Sequence, residues 1–285
     1  MTQPLVTVIV PFRNQGPLLL QACRSLQGQT QARWQALLVN DGSGQEAVAA
    51  AERLCGADRR FRLLHVPDPA HFPGPWLARN LGLERASTRL VAFLDADDLW
   101  HPEKLEQQLP LHTPRQPLLS VCSYHRFRAD SLTVVETRHP PQRLDFGELL
   151  RGNPIPCSSV IVDRGLLLAK GGFLPERHED YGLWLRLFAA ADRPAYRCLA
   201  RPLMAYRLQS DSLSAARHRS LVAVNGLFRQ HLPRRRQRWP ALLGWGLGRV
   251  RGSLSRRIKP GSGEPLPQPF RSLAGPGSVL TAPAP

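Results

Sequence analysis

Apolar and polar positions repeat in a regular order over the first hundred residues: a short β-rich apolar run, then a stretch with helical spacing. Residues 5–10 are an apolar run rich in Val that ends at Pro11, which predicts a buried strand. Over residues 17–26, Leu18, Leu19, Ala22 and Leu26 fall on one helical face. Residues 36–39 predict a second buried strand, ending at Asn40-Asp41-Gly42-Ser43. Ala47, Ala50, Ala51 and Leu54 then recur in helical register. Residues 63–66 predict a third strand, residues 76–85 a helix, and residues 90–94 a fourth strand that runs directly into Asp95-Ala96-Asp97-Asp98.

Strands that alternate with helices and are apolar on both faces imply a mostly parallel central sheet flanked by helices, an α/β fold. Ligands of such sheets bind at the carboxyl ends of the strands. The polar clusters fall at those ends: Arg13-Asn14 after the first strand, Asp41 after the second and Asp95 to Asp98 after the fourth.

The second half is more mixed. Residues 120–127, 158–162 and 203–208 predict strands. Residues 180–190 predict a helix with Leu183, Leu187 and Ala190 on one side. Residues 215–231 are helical in pattern and basic. Residues 242–258 carry Leu242, Leu243, Trp245, Leu247, Val250, Leu254 and Ile258 among arginines, the pattern of an interfacial amphipathic helix, although its glycines lower helix propensity. After Pro260 the chain is rich in Gly, Pro and Ser, which predicts disorder. The expected organisation is an α/β domain over residues 1–213, a basic C-terminal helical extension over 214–259 and a disordered tail over 260–285.

At 285 residues and 42% hydrophobic composition the chain can bury a sizeable core, so it is not disordered as a whole. The formal charge of +16 is nearly all arginine, densest at Arg234-Arg235-Arg236-Gln237-Arg238. This suggests an anionic surface as partner, a membrane surface or an acidic polymer, with nucleic acid the weaker candidate; a solvated basic tail is the plainer account. The five cysteines (Cys23, Cys55, Cys122, Cys157, Cys198) show no C-x-x-C spacing, so buried free thiols in a reducing compartment are expected rather than a zinc site. The short apolar run at the N-terminus lacks a basic flank and reads as neither signal peptide nor anchor. A cytoplasmic protein is expected, peripheral to the inner face of a membrane.

The acidic cluster carries the chemistry. Three carboxylates in four residues repel one another unless a cation offsets them. Mg²⁺ typically takes one or two carboxylates and completes its shell with phosphate oxygens, so a nucleotide diphosphate fits beside it. A solvated turn that caps the helix begun at Pro102-Glu103 is the alternative. Asp41 suits the N–H of a pyrimidine or a ribose hydroxyl, and equally an Asx turn before the next helix. Trp100 and Trp184 read as packing; Tyr181 is the one aromatic retained as a candidate for stacking on a sugar. No G-x-x-x-x-G-K-[ST] run exists, which excludes a P-loop, and no G-x-G-x-x-G follows the first strand, which disfavours a dinucleotide dehydrogenase.

Four motifs in order, Thr7-Val8-Ile9-Val10-Pro11-Phe12-Arg13-Asn14, Val39-Asn40-Asp41-Gly42-Ser43, Ala78-Arg79-Asn80-Leu81-Gly82 and Phe93-Leu94-Asp95-Ala96-Asp97-Asp98, resemble family 2 glycosyltransferases of the GT-A fold, over roughly residues 4 to 213. The resemblance implies a nucleotide-diphospho-sugar transferase fold and an inverting transfer from a nucleotide-sugar donor, commonly UDP-linked, to a hydroxyl of a glycan or lipid-linked acceptor. It implies that Pro11, Arg13 and Asn14 line the nucleotide pocket, that Asp41 contacts the base, and that Arg79, Asn80 and Asp95 lie at the nucleotide. It implies that Asp97, with Asp98, holds Mg²⁺ or Mn²⁺. His178-Glu179-Asp180-Tyr181 resembles the family's Glu-Asp segment, which implies Asp180 as general base with Glu179 second; taking the acceptor proton during attack is what a positioned carboxylate does. The sequence departs from the family pattern at Asn40, at Gln45, in the loop 71–76 and at Gln209, with Arg207, Ser212 and Ser214 as possible substitutes for the last. These departures motivate a second reading, a non-catalytic nucleotide- or glycan-binding assembly factor.

Overall fold

The computed structural model describes residues 3–68, 74–113, 116, 118–208, 217–232, 238–247 and 263–275. The first half alternates as the periodicity predicts: β1 (Val6–Phe12), α1 (Gly16–Gln27), β2 (Trp34–Asn40), α2 (Gln45–Ala57), β3 (Phe61–His65), α3 (Trp76–Arg85) and β4 (Leu90–Phe93). The remainder is β5 (Leu99–Trp100), α4 (Lys104–Gln108), β6 (Leu118–Arg128), β7 (Val134–Arg138), α5 (Phe146–Arg151), β8 (Ile161–Asp163), α6 (Arg164–Ala169), α7 (Glu179–Ala189), β9 (Ala195–Leu208), α8 (Arg217–His231), α9 (residues 238–247) and α10 (Phe270–Ala274).

Among the described residues one sheet runs in the order β3-β2-β1-β4-β8-β6-β9-β5, with β7 beside β6. The first four strands are parallel, as expected. The rest of the sheet is mixed: β8 is antiparallel to both β4 and β6, and β5 is antiparallel to β9. The expectation of a mostly parallel sheet is therefore met only in the first half. Strand β5 is only two residues long, and the directions of β5 and β8 are set by pairing rather than by local sequence.

Pro11 does not end the first strand. It pairs with Val39, and β1 continues to Phe12. The pairing with β4 stops at Ile9, so the side of β1 on which Pro11 lacks an N–H has no ladder left to break. Alternate residues serve two cores. Val6, Val8 and Val10 face α1 and α2, whereas Ile9 faces α3 and the helices of the second half. Gly82 lets α3 lie directly on β1, because a Cβ there would collide with Ile9.

The tail departs from the expectation of disorder at residues 263–275. Val134 N–H donates to Glu264 O (2.9 Å) and Leu266 N–H to Leu132 O (2.7 Å). Leu266, Phe270 and Ala274 then close a third core with Leu99, Phe127, Val134 and Ala205. Three apolar side chains spaced four apart were masked in the sequence by surrounding Pro, Gly and Ser. Residues 248–262 and 276–285, which include Val250, Leu254 and Ile258, lie outside the described residues, as do Gln209, Ser212 and Ser214.

Candidate active site

The loops after β1 and β2 are tied together. Asn14 takes a left-handed backbone (φ 58°), its Oδ1 accepts the Gly44 N–H at 2.7 Å and its own N–H donates to Ser43 Oγ at 3.0 Å. Asn14 is thus a clip that shapes the edge. The Asn40 side chain holds the turn after β2 by accepting the Ser43 N–H, three residues on, at 2.8 Å. Asp41 is buried, and its Oδ1 has no hydrogen-bond partner among the described residues. Burial raises its pKa, and the nearby Arg13 opposes the rise. A buried acceptor without a protein partner is costly unless a ligand supplies the donor.

Arg79 links two of the predicted clusters. It is buried in the first turn of α3; its Nη2 donates to Asp95 Oδ1 at 2.6 Å and its Nη1 donates to Glu179 Oε1. Burial works against its charge, and the carboxylates around it more than reverse this. The guanidinium also lies over the Phe173 ring, 5.4 Å from the centroid. Asn80, next along, has both amide atoms engaged: Nδ2 donates to Phe173 O and Oδ1 accepts the Phe173 N–H, each at 2.8 Å. It holds the chain before α7 in place rather than presenting its amide to a ligand.

Glu179 and Asp180 open α7 and diverge. Glu179 is buried against Arg79; burial raises its pKa and Arg79 pulls it back. Asp180 is half-buried. Its Oδ2 accepts from Asn153 Nδ2 at 3.2 Å and its Oδ1 accepts the Tyr181 N–H at 2.7 Å. Burial raises Asp180 above the usual carboxylate value, opposed by Arg79 and His178, the direction that suits a proton acceptor. Tyr181 is not a sugar platform: its ring is buried against Phe228 and its OH donates to Leu149 O.

The acidic turn is gripped from behind. Arg207, on β9, donates through Nε to Asp97 O at 2.9 Å, and its own N–H donates to Asp98 Oδ1 at 3.2 Å. Its Nη2 reaches Gln21 Oε1 on α1 at 2.7 Å. Asp98 is buried, and burial with Asp97 and Asp95 lifts it well above the carboxylate range. Asp98 therefore gives one oxygen to the framework of the turn, while its Oδ2 has no hydrogen-bond partner among the described residues. Asp97 is half-buried and pushed up to about 6 by burial and Asp95, against Arg207 and Arg79. Among the described residues no three His, Cys, Asp or Glu side chains are arranged to hold a metal. The donors at the turn, Asp97 with the second oxygen of Asp95, fit a hard cation that brings most of its own oxygen ligands.

The segment 153–159, whose sequence offers it as a shaper of the acceptor pocket or simply a Pro-bounded loop, connects both ends of the site. Ser158 Oγ accepts the Asp95 N–H at 3.0 Å and Ser158 O accepts from Trp100 Nε1 at 2.8 Å. Ser159 O accepts from Gln108 Nε2 at 3.0 Å, and Asn153 holds Asp180. A short polar loop bounded by prolines carries no spacing that would reveal this. The groove lined by Ser87, Arg89, Leu109 and His112 opens at the amino ends of β1 and β4, away from every candidate residue. The strand ends, not that groove, hold the clustered carboxylates.

The family model described as "Glycosyl transferase family 2" matches residues 7–162. An Escherichia coli protein, "UDP-Glc:alpha-D-GlcNAc-diphosphoundecaprenol beta-1,3-glucosyltransferase WfgD", is 30% identical over 217 residues, 76% of this chain and 82% of that protein. The crystal structure of S. aureus TarS 1-349 in complex with UDP-GlcNAc superposes with a TM-score of 0.64 at 15% identity, covering 94% of this chain and 79% of that one. A mannosyltransferase from Pyrobaculum calidifontis, PcManGT in complex with GDP-Man and Mn²⁺, gives 0.59 at 18% identity, covering 96% and 84%. With three of the four motifs at the ends of β1, β2 and β4 and the fourth on α3, joined to the acidic turn through Arg79, the chain belongs to glycosyl transferase family 2 and is a glycosyltransferase.

Proposed function

We propose that the chain transfers a sugar from a UDP-linked donor to a hydroxyl of a glycan or lipid-linked acceptor, with inversion, assisted by Mg²⁺ or Mn²⁺ at Asp97. One observation carries the reading: Arg79 joins Asp95 of the acidic turn to Glu179, the residue beside Asp180. A single buried side chain thereby fixes the donor end against the acceptor end. Asp41, with its unpartnered buried oxygen, suits the N–H of a pyrimidine, with Arg13, just past β1, close to it and Pro11 on β1 at the same strand end. The name of WfgD gives UDP-Glc as its donor and a diphosphoundecaprenol-linked acceptor, which supports the same classes here.

In this reading Asp180 takes the acceptor hydroxyl proton as that oxygen attacks the anomeric carbon. The bond from the anomeric carbon to the diphosphate oxygen breaks, and the electron pair leaves with the diphosphate. A single displacement inverts the centre. Asp97, with the second oxygen of Asp95, would hold a cation whose chemistry is to offset the charge of the leaving diphosphate. Asn153 and the Tyr181 N–H orient the Asp180 carboxylate. Among the described residues no helix is long and apolar enough to cross a membrane; we place the enzyme on the cytoplasmic side, reaching a lipid-linked acceptor from outside the bilayer.

Thermal shift of the full chain tests the donor half. UDP with Mn²⁺ is expected to raise Tm by several degrees, since a ligand at about 100 times its Kd adds about 2.7 kcal/mol. Asp41→Ala is expected to abolish the shift. No shift with UDP, GDP or their sugars in the presence of Mn²⁺ contradicts the proposal.

A further inference from the structure

Helix α9 is apolar on opposite sides. Ala241, Leu242 and Trp245 pack on the core shared with α7 and α8. Trp239, Leu243 and Leu247, each four residues apart and so on one face, are 65%, 63% and 61% exposed. Among the described residues, nothing covers this ridge of one Trp and two Leu. Its charge setting is one-sided: between Asp211 and Glu264 the sequence has twelve Arg or Lys residues and no carboxylate.

We infer that this ridge docks the enzyme on an anionic lipid bilayer. An apolar stripe with an interfacial Trp, set in a basic segment without carboxylates, matches lipid tails beneath acidic headgroups. Nucleic acid offers no apolar layer for Leu243 and Leu247. The position also fits. A Cβ at Gly244 would lie 3.9 Å from the side chain of Arg151, at the end of α5, two residues before the Asn153 that holds Asp180. The ridge therefore lies beside the acceptor side of the site, where a lipid-linked acceptor would arrive. The inference deepens the lipid-linked reading above, yet its test needs neither donor nor metal.

The test is cosedimentation of the full chain with vesicles of phosphatidylcholine alone or with 30 mol% phosphatidylglycerol, a composition chosen as about a third acidic lipid. The chain is expected to bind the acidic vesicles, to bind neutral ones at least about tenfold more weakly, and to be released by salt. Leu243→Asp with Leu247→Asp is expected to weaken binding at least about tenfold, with the Tm and the UDP–Mn²⁺ shift of the parent chain retained. Leu243→Ile is expected to bind as the parent does. Equal binding by the double Asp variant overturns the inference, as does failure of the parent to bind acidic vesicles. Competition by duplex DNA that survives the Asp substitutions assigns the basic segment to nucleic acid and equally overturns it. Loss of the UDP–Mn²⁺ shift in the parent chain counts against the donor reading and leaves the vesicle result standing.

Discussion

Arg79 Nη2 lies 2.6 Å from Asp95 Oδ1, inside a site where the arginine side chain is only 4% exposed. The other arm of the same guanidinium holds Glu179. Two carboxylates 84 positions apart in the chain are thereby fixed to one planar cation, and the acidic turn and the start of α7 cannot move independently. Arg79→Lys removes the fork that serves both carboxylates, and Arg79→Met leaves both unpaired. Breaking a buried charge pair on one side costs about 3–5 kcal/mol. Chemical denaturation is expected to show a loss of that order for Arg79→Met and a smaller one for Arg79→Lys, with transfer lost in both.

In the proposed reading, Asp97 is expected to set the pH dependence of cation binding. Its carboxyl is pushed up to about 6, above the unfolded value of about 3.9. Between these values the folded state binds more protons than the unfolded one, so the chain without cation loses stability as pH rises through that window. A cation needs the ionised form, so its affinity rises with pH up to about 6, by at most about tenfold per unit for one displaced proton, and levels above. Titration with Mn²⁺ at pH 5 and pH 7 checks the direction; Asp97→Ala is expected to bind Mn²⁺ at neither pH.

Lys104 is fully buried, bonded to Gln108 Oε1 at 2.8 Å and set 4.2 Å over the Trp100 ring, and burial lowers it to about 8. From about pH 8 to the unfolded value near 10.4 the unfolded chain holds the extra proton, so this group makes the fold more stable as pH rises. The slope is at most about 1.4 kcal/mol per unit. Comparing the parent with Lys104→Met between pH 8 and 10 isolates it: the parent is expected to gain stability relative to the variant.

The alternating elements of the first half were legible because β1, β2 and β4 are buried on both faces, and α1 and α2 each show one apolar face. Helix α3 runs from Trp76 to Arg85, the bounds expected from sequence, although its buried face carries Arg79 and Gly82. The strand-end placement of Asp41 and Asp95 followed from that order. What was hidden is what depends on distant partners. Ser158 and Asn153 do their work through single hydrogen bonds to Asp95 and Asp180. Nothing local distinguishes Asp98, turned inward to Arg207, from Asp97 one residue earlier. Asn80 and Tyr181 look like ligand contacts in sequence and are packing groups in the fold.

Phe270 shows what the tail contributes. Its buried ring lies edge-on to His101 and His125 at 5.7 and 6.1 Å, over the β5–β9 corner that leads to Arg207. Phe270→Ala is expected to cost about 3–5 kcal/mol. A disordered tail would tolerate the change, so an unaltered Tm speaks against the packing.

The central claim is that Asp97 and Asp180 serve two halves of one reaction. Donor binding and turnover, measured together on Asp97→Ala and Asp180→Asn with UDP-sugar and Mn²⁺, separate the halves. Asp180→Asn is expected to bind UDP as the parent does while transfer falls by about 10²–10⁴-fold, and Asp97→Ala is expected to lose the Mn²⁺-dependent binding itself. Transfer by Asp180→Asn at the parent rate, or loss of donor binding in that variant alone, contradicts the account.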